Sequence, residues 1–425
     1  MFRLNVPRFW RQLKLLAQFG ALQAAAQFIA ALSGLFLVRI LDKSEFAAYA
    51  IATSLFTTLN VLTDSGIGTG LNAVGGRIWR DSGAMSRLVR TALAFRVRLL
   101  LLAVPLGFGF SLVLFRQNEI SWTRSMMLML AVLSGLWGMI HTSTYAISLR
   151  LSGRYLEVQR LELLASLLRL ALLSCLFLVC INATLAVLTA VLTISLQAAC
   201  LRQKALLVLY PNAPLDAGYR GELGRFIKGL WFSTAFFAFQ GQLTIWLIAL
   251  FGTRDRIAEI GALGRLSVIF AFISSLINGI ATPTFARCDS TDRLRRLFST
   301  MLLGYLLFAI ALLAAAFGFP HEILSLLGAR YTGLAAELPL MFGISILWGL
   351  TGIFYALASA RGWIWRAWAS PLATLGLQVV LLRTFDLSKV RGVLLFGLLS
   401  ALPTLCSVAY MAIRGLTSSE MRRPE

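Results

Sequence analysis

The stretch Ser33 to Gly70 reads SGLFLVRILDKSEFAAYAIATSLFTTLNVLTDSGIGTG. An apolar run closes on Arg39. A short polar turn then carries Asp42, Lys43, Ser44 and Glu45, and a second apolar run starts at Phe46. Up to about Leu71 the second run holds one acidic residue, Asp64, and no basic one. A helix needs about 20 apolar residues to cross the hydrocarbon core of a bilayer. The stretch therefore predicts two membrane helices joined by a tight polar turn.

The same punctuation recurs along all 425 residues. Apolar runs predict helices near 15–38, 46–71, 92–115, 124–149, 161–181, 183–201, 228–251, 257–285, 297–319, 337–359, 364–382 and 392–413. The run from Leu170 to Leu201 carries no charge and is too long for one span. Asn182-Ala183-Thr184 supplies a turn that splits it into a hairpin. Hydrophobic residues make up 58% of the chain and charged residues 13%, whereas soluble domains are about half apolar and a quarter charged. No connector is long enough to hold a soluble domain. The expected fold is an all-α polytopic membrane protein with about twelve transmembrane helices.

The net charge of +21 raises nucleic-acid binding as a reading. No binding module of that kind is visible, and membrane proteins collect Lys and Arg in cytoplasmic loops. Counted on alternate sides of the expected spans, 27 basic residues fall on one side and 11 on the other, with Arg169 left over inside a span. That asymmetry predicts a membrane protein with both termini in the cytoplasm. Arg3, Arg8, Arg11 and Lys14 precede the first apolar run as in a signal peptide. The run continues to about Val38 without a small-residue cleavage site, so it reads as an uncleaved helix. Cys175, Cys180, Cys200, Cys288 and Cys406 lack metal spacing, and the only histidines are His141 and His321. No disulfide framework, zinc site or cofactor is expected.

The basic segment around Pro211 and Pro214 falls at the midpoint, and the halves on either side look alike. Glu45-Phe46-Ala47-Ala48-Tyr49-Ala50 aligns with Glu259-Ile260-Gly261-Ala262-Leu263-Gly264, and Leu149–Arg154 aligns more loosely with Ala356–Arg361. The expected organisation is a six-helix lobe at 1–201, a cytoplasmic linker at 202–227 and a second six-helix lobe at 228–425. An even number of helices per half makes the repeat parallel, with a cleft between lobes that opens to each side in turn.

With these residues in place, the Ser33–Gly70 stretch resembles the opening of the polysaccharide flippases. These are the Wzx-like branch of the multidrug/oligosaccharidyl-lipid/polysaccharide exporter superfamily. The likeness rests on a helix ending at Arg39, the Glu45-Phe46-Ala47-Ala48-Tyr49 turn and the Asp64-Ser65-Gly66-Ile67-Gly68 helix end. Ser152-Gly153-Arg154 and Glu259-Ile260-Gly261 also resemble family features, while Ala47 stands where a glycine is usual. The resemblance implies a MATE-like two-lobe fold. It implies movement of undecaprenyl-pyrophosphate-linked oligosaccharide units between leaflets, and a polysaccharide polymerase as a membrane partner.

Ionisable groups at bilayer depth are functional candidates by default. Asp64 is the candidate for coupling to a proton or sodium ion. The competing reading pairs it with an arginine such as Arg77. Arg39, Arg98 and Arg265 are candidates for lining a lumen, because guanidinium forks bind phosphate oxygens. Arg96, two residues from Arg98, points elsewhere on its helix. Snorkelling to headgroups is the alternative for each. Gln23 and Gln27 share a helix face and map by the repeat near Gln240 and Gln242. All four suit a sugar-facing cavity or, alternatively, interhelical hydrogen bonds. His141 reads as a packing residue, and Trp363, Trp365 and Trp368 read as an interfacial belt. Pro105, Pro283, Pro371 and Pro403 are expected to kink their helices.

Two rival functions remain. Cation-coupled efflux predicts a more acidic cavity. A glycan polymerase or ligase predicts a long loop bearing an active site, and no nucleophile motif, phosphate loop or metal set supports an enzyme. A lipid II flippase resembles the chain but usually has two more helices.

Overall fold

The computed structural model describes residues 6–179, 181–270, 272–273, 285, 288, 290–363 and 369–417, the side chains of 6–17 and 179 excepted. Regular structure among these residues is entirely helical. In chain order the first half holds α1 (Val6–Ile40), α2 (Lys43–Asp64), α3 (Ile67–Ile78), α4 (Ser82–Gln117), α5 (Trp122–Leu151), α6 (Tyr155–Val179), α7 (Ala183–Ala205) and α8 (Ala217–Gln240). The second half holds α9 (Leu243–Phe251), α10 (Arg254–Leu266), α11 (Thr291–Gly318), α12 (Pro320–Ser325), α13 (Leu338–Ala360), α14 (Ala369–Thr384), α15 (Val390–Ser400) and α16 (Leu402–Thr417). Among the described residues nine helices are long and apolar enough to cross a membrane. A tenth crossing arises where α8 and α9 count as one interrupted span. The protein is a multi-pass membrane protein.

Most expected spans appear as single helices. The run at 46–71 is instead divided between α2 and α3, and that at 228–251 between α8 and α9. Val390–Thr417 changes helix at Ala401. The spans expected at 257–285 and 364–382 lie partly outside the described residues, as do Pro283, Trp365 and Trp368. Pro105 sits in the interior of α4, and Pro371 lies in α14 next to residues outside the description. Pro403 follows the break at Ala401 by two residues. A proline lacks an N–H and disfavours helix in the residue before it, so the interruption expected of Pro403 is present.

The helix starts follow from side chains that satisfy those first N–H groups. The Asp81 carboxylate accepts from Gly83 N–H (2.8 Å) and Ala84 N–H (3.0 Å) to open α4. Asn182 accepts from Leu185 N–H (2.9 Å) to open α7, at the turn expected from sequence. Asp216 accepts from Gly218 N–H (2.8 Å) to open α8.

The chain divides into two compact units, Met1–Gln242 and Leu243–Glu425. In the first, α5 packs along α7 and α1 along α6, while α8 packs on α2, α3 and α4. The expected lobes place 228–242 in the second half; the contacts group it with the first. The segment expected as a linker is bonded down as well. Tyr210 N–H donates to Ser86 Oγ (2.8 Å), Asp216 N–H to Thr91 Oγ1 (3.3 Å), and Arg90 to Pro211 O (3.2 Å). In the second unit α13 packs on α11 and α16 around Phe298, Tyr305, Ile353 and Leu357. Tyr331, in the 3-10 turn Ala329–Leu334, is buried there. Burial pushes its phenol up to about 12.

One turn type closes α4, α5 and α13. Ser152 N–H bonds to Ser148 O, Gly153 N–H to Arg150 O and Arg154 N–H to Leu149 O. Arg361, Gly362 and Trp363 repeat this pattern on Leu357, Ser359 and Ala358. Gly153 (φ 81°) and Gly362 (φ 68°) both take the left-handed conformation that closes such a helix end.

Candidate functional site

The Asp64-Ser65-Gly66-Ile67-Gly68 motif is a helix joint. Helix α2 stops because Ser65 (φ 37°) and Gly66 (φ 88°) both adopt left-handed backbone. Glycine is needed at 66 on two counts: its φ, and a Cβ there would lie 2.9 Å from Leu230 Cδ1. Helix α3 restarts at Ile67, and Gly68 N–H in its first turn donates to Asp64 Oδ1 (3.1 Å). A carboxylate at a helix N-terminus is favoured by the free N–H groups there.

The second partner of that carboxylate is Arg96 of α4, whose Nη2 donates to Asp64 Oδ1. Arg96 is 3% exposed. Its Nη1 reaches Ser143 Oγ, Thr144 Oγ1 (3.0 Å) and Ile140 O (3.4 Å) on α5. One guanidinium thus ties the α2–α3 joint to α4 and α5. Gly68 leaves room for it, since a Cβ would sit 3.0 Å from Asp64 Oδ1 and 3.4 Å from Arg96 Nη2. The expected partner Arg77 instead pairs with Glu222 of α8.

At the other end of α2, Glu45 Oε2 accepts from Arg124 of α5 and from Ala183 N–H of α7 (2.8 Å). The second unit has a counterpart of opposite sign. Helix α10 begins at Arg254 as α2 begins at Lys43, so Arg256 takes the third place that Glu45 holds. Arg256 donates to Ser388 O, just ahead of α15. One turn along α2 from Glu45, the buried Tyr49 accepts a hydrogen bond from Arg169 Nη2 of α6 (3.0 Å). Nothing in the sequence linked these two, because a contact between helices 120 positions apart depends on which faces pack.

The other sequence candidates lie apart from this joint. Arg39 is exposed at the end of α1, and Arg98 is exposed on α4 while Arg96 is buried. Gln23 and Gln27 are half-buried on α1, and Gln240 and Gln242 are half-buried where the first unit ends. Arg265 is half-buried on α10 in the second unit. A cavity of about 370 Å³ lies between α1 and α6, lined by Gln18, Ala21, Leu22, Leu156 and Arg160. His141 stacks on Trp137 with ring centroids 4.8 Å apart, and its Nδ1 lies 2.8 Å from Trp137 O, a packing arrangement. Cys175, Cys200, Cys288 and Cys406 are free thiols, and Cys180 lies outside the described residues. Among the described residues no three His, Cys, Asp or Glu side chains cluster as metal ligands would.

No family model matches the sequence, and no curated protein does. Solved structures do match. The inward-facing conformation of a multidrug resistance MATE family transporter of the MOP superfamily superposes with a TM-score of 0.65 at 14% identity. It covers 94% of this chain and 96% of that one. The fold is that of the MATE transporters. The outward-facing conformation of such a transporter gives a TM-score of 0.65 at 12% identity, covering 94% and 95%. The eukaryotic MATE transporter AtDTX14 gives 0.66 at 12% identity over 97% of both chains. The MATE fold thus extends over nearly the whole chain.

Proposed function

We propose that this protein is a flippase. It carries oligosaccharide units linked to undecaprenyl pyrophosphate across the bacterial inner membrane by alternating access, for surface polysaccharide assembly. Its two lobes are the transport halves, both termini face the cytoplasm, and a polysaccharide polymerase receives the product. The observation that carries this reading is the positive charge on the spanning helices of the first unit that no carboxylate balances. Asp64 is already engaged by Arg96, while Arg98, exposed on α4, and Arg169, half-buried on α6, have no carboxylate partner among the described residues. Unbalanced basic charge on these helices favours an anionic cargo such as a pyrophosphate. Arg39, Arg98 and Arg265, with Gln23, Gln27, Gln240 and Gln242, are the residues we assign to cargo contact. Asp64 is assigned to ion coupling, by a proton or sodium ion competing with Arg96 for the carboxylate.

A second reading, cation-coupled efflux, is favoured by the multidrug transporters that share the fold. Gene deletion, with lipid-linked saccharides analysed in whole cells and inside-out vesicles, separates the two. A flippase leaves undecaprenyl-linked units on the cytoplasmic leaflet and removes surface polysaccharide. Normal surface glycan refutes the flippase and leaves efflux. Units that reach the periplasm unpolymerised refute both and point to an assembly enzyme. An Asp64→Asn variant that complements the deletion at normal expression rules out the coupling role.

A further inference from the structure

Arg169 stands twelve residues beyond Glu157 and thirteen before Asn182. Its α-carbon is therefore about 18 Å along the axis from Glu157, near the middle of α6. That span has a mean hydropathy of 2.1, and only 6% of its most apolar window is buried against protein. A guanidinium is costly there and needs an anionic or strongly polar partner.

The other buried or partly buried arginines of the first unit show what such a partner looks like. Arg87 has Asp216, Arg96 has Asp64, Arg124 has Glu45, and Arg154 has Glu157. Arg169 has no carboxylate among the described residues; its partner is the neutral phenol of Tyr49. Snorkelling does not describe it, because the side chain turns inward to α2. Its Nε is buried and makes no hydrogen bond among the described residues. Tyr49 is itself fixed, 1% exposed and with its ring 5.8 Å from that of Phe46. A guanidinium has five donors in a planar fork. Here one is anchored at Tyr49, and Arg169 as a whole residue is half-buried. A fork held this way suits two oxygens of a phosphoryl group.

We propose that Arg169 is an intramembrane binding site for a phosphate or pyrophosphate group, with Tyr49 as the positioning residue that orients its guanidinium. The site rests on the flippase reading, in which the cargo carries a pyrophosphate past this depth. Neither residue is among those assigned to cargo contact above.

The test uses full-length protein in lipid nanodiscs, titrated in one arm with undecaprenyl pyrophosphate and in the other with inorganic pyrophosphate. Arg169→Gln should weaken binding by about tenfold or more, the scale of one charge-assisted bidentate contact. Arg169→Lys should retain part of it, and Tyr49→Phe should lose less than Arg169→Gln. Melting of each variant checks that it is folded, and binding is scored per folded protein. If wild type binds the lipid and Arg169→Gln binds it equally well, the Arg169 site is wrong and the flippase reading stands. If only inorganic pyrophosphate binds, in an Arg169-dependent way, the anion site stands and the lipid cargo falls. If wild type binds neither, both fall.

Discussion

Asp64→Asn should destabilise the first unit by about 2 kcal/mol, a value set between two limits. Removing one partner of a fully buried ion pair costs about 3–5 kcal/mol. Exposed pairs are worth about 0–1 kcal/mol. This pair is mixed: the side chain of Arg96 is 4% exposed and that of Asp64 is 40% exposed. Water screens the carboxylate but does not reach the guanidinium. Without Asp64, Arg96 keeps only neutral acceptors at Ser143, Thr144 and Ile140. Arg96→Met should cost less, about 1 kcal/mol, because the remaining carboxylate keeps Gly68 N–H and water. Ser143 and Thr144 lose little, since their hydroxyls already donate to Met139 O and Ile140 O. The double variant should then be more stable than Asp64→Asn alone, with a coupling of about 1–2 kcal/mol. Thermal unfolding of all four proteins in one detergent closes the cycle. Additive losses, or an Asp64→Asn protein that melts with wild type, would refute the reasoning.

Three further outcomes are expected. Glu45→Ala removes both the Arg124 pair and the bond to Ala183 N–H, and should lower stability by about 1–3 kcal/mol, read as a lower melting midpoint. Gly349→Ala places a Cβ 1.8 Å from Tyr305 Oη, an overlap that should cost about 1–3 kcal/mol and reduce folded yield; Tyr305→Leu in the same chain should recover part of it. Tyr331, free at 10.0 and here about 12, keeps its contribution below pH 10. It loses that contribution as the pH rises toward 12, because the unfolded chain ionises first. The loss approaches about 2–3 kcal/mol, and melting curves of Tyr331→Phe from pH 9 to 11.5 should be flatter than those of wild type.

Several parts of the fold were open to reading in one dimension. Asn182 marked the start of α7 because a side-chain acceptor before an apolar run is a local signal. Helix ends near Arg39, Leu151 and Ala205 followed from where apolar runs meet charge. The joint at Ser65-Gly66 was hidden, because both flanking segments are apolar and hydropathy does not register backbone handedness. The interruption between α8 and α9 was hidden for the same reason, whereas that at Ala401 was signalled by Pro403. Asp64 stood out by its chemistry, yet its partner did not. Arg77 was near in sequence, whereas Arg96 is 32 residues away and only the packing of α4 on α2 brings it in. Leu149–Arg154 and Ala356–Arg361 match in residue type, and each runs into a turn that a glycine closes, Gly153 and Gly362.

The length of α4 has a consequence for the membrane that holds it. Its 36 residues make a rod of about 54 Å, against a hydrocarbon core of about 30 Å. The surplus lies toward the Asp81 end, where Ser86, Arg90 and Thr91 hold the segment that leads to α8. Those bonds sit outside the apolar stretch, and Arg90 and Arg98 mark where the hydrocarbon core must end. The uncharged part of the rod, Leu99–Phe115, is only about 26 Å long, so a thicker bilayer must thin locally beside it or draw Arg98 inward. Lipid chain length should therefore influence where the protein resides.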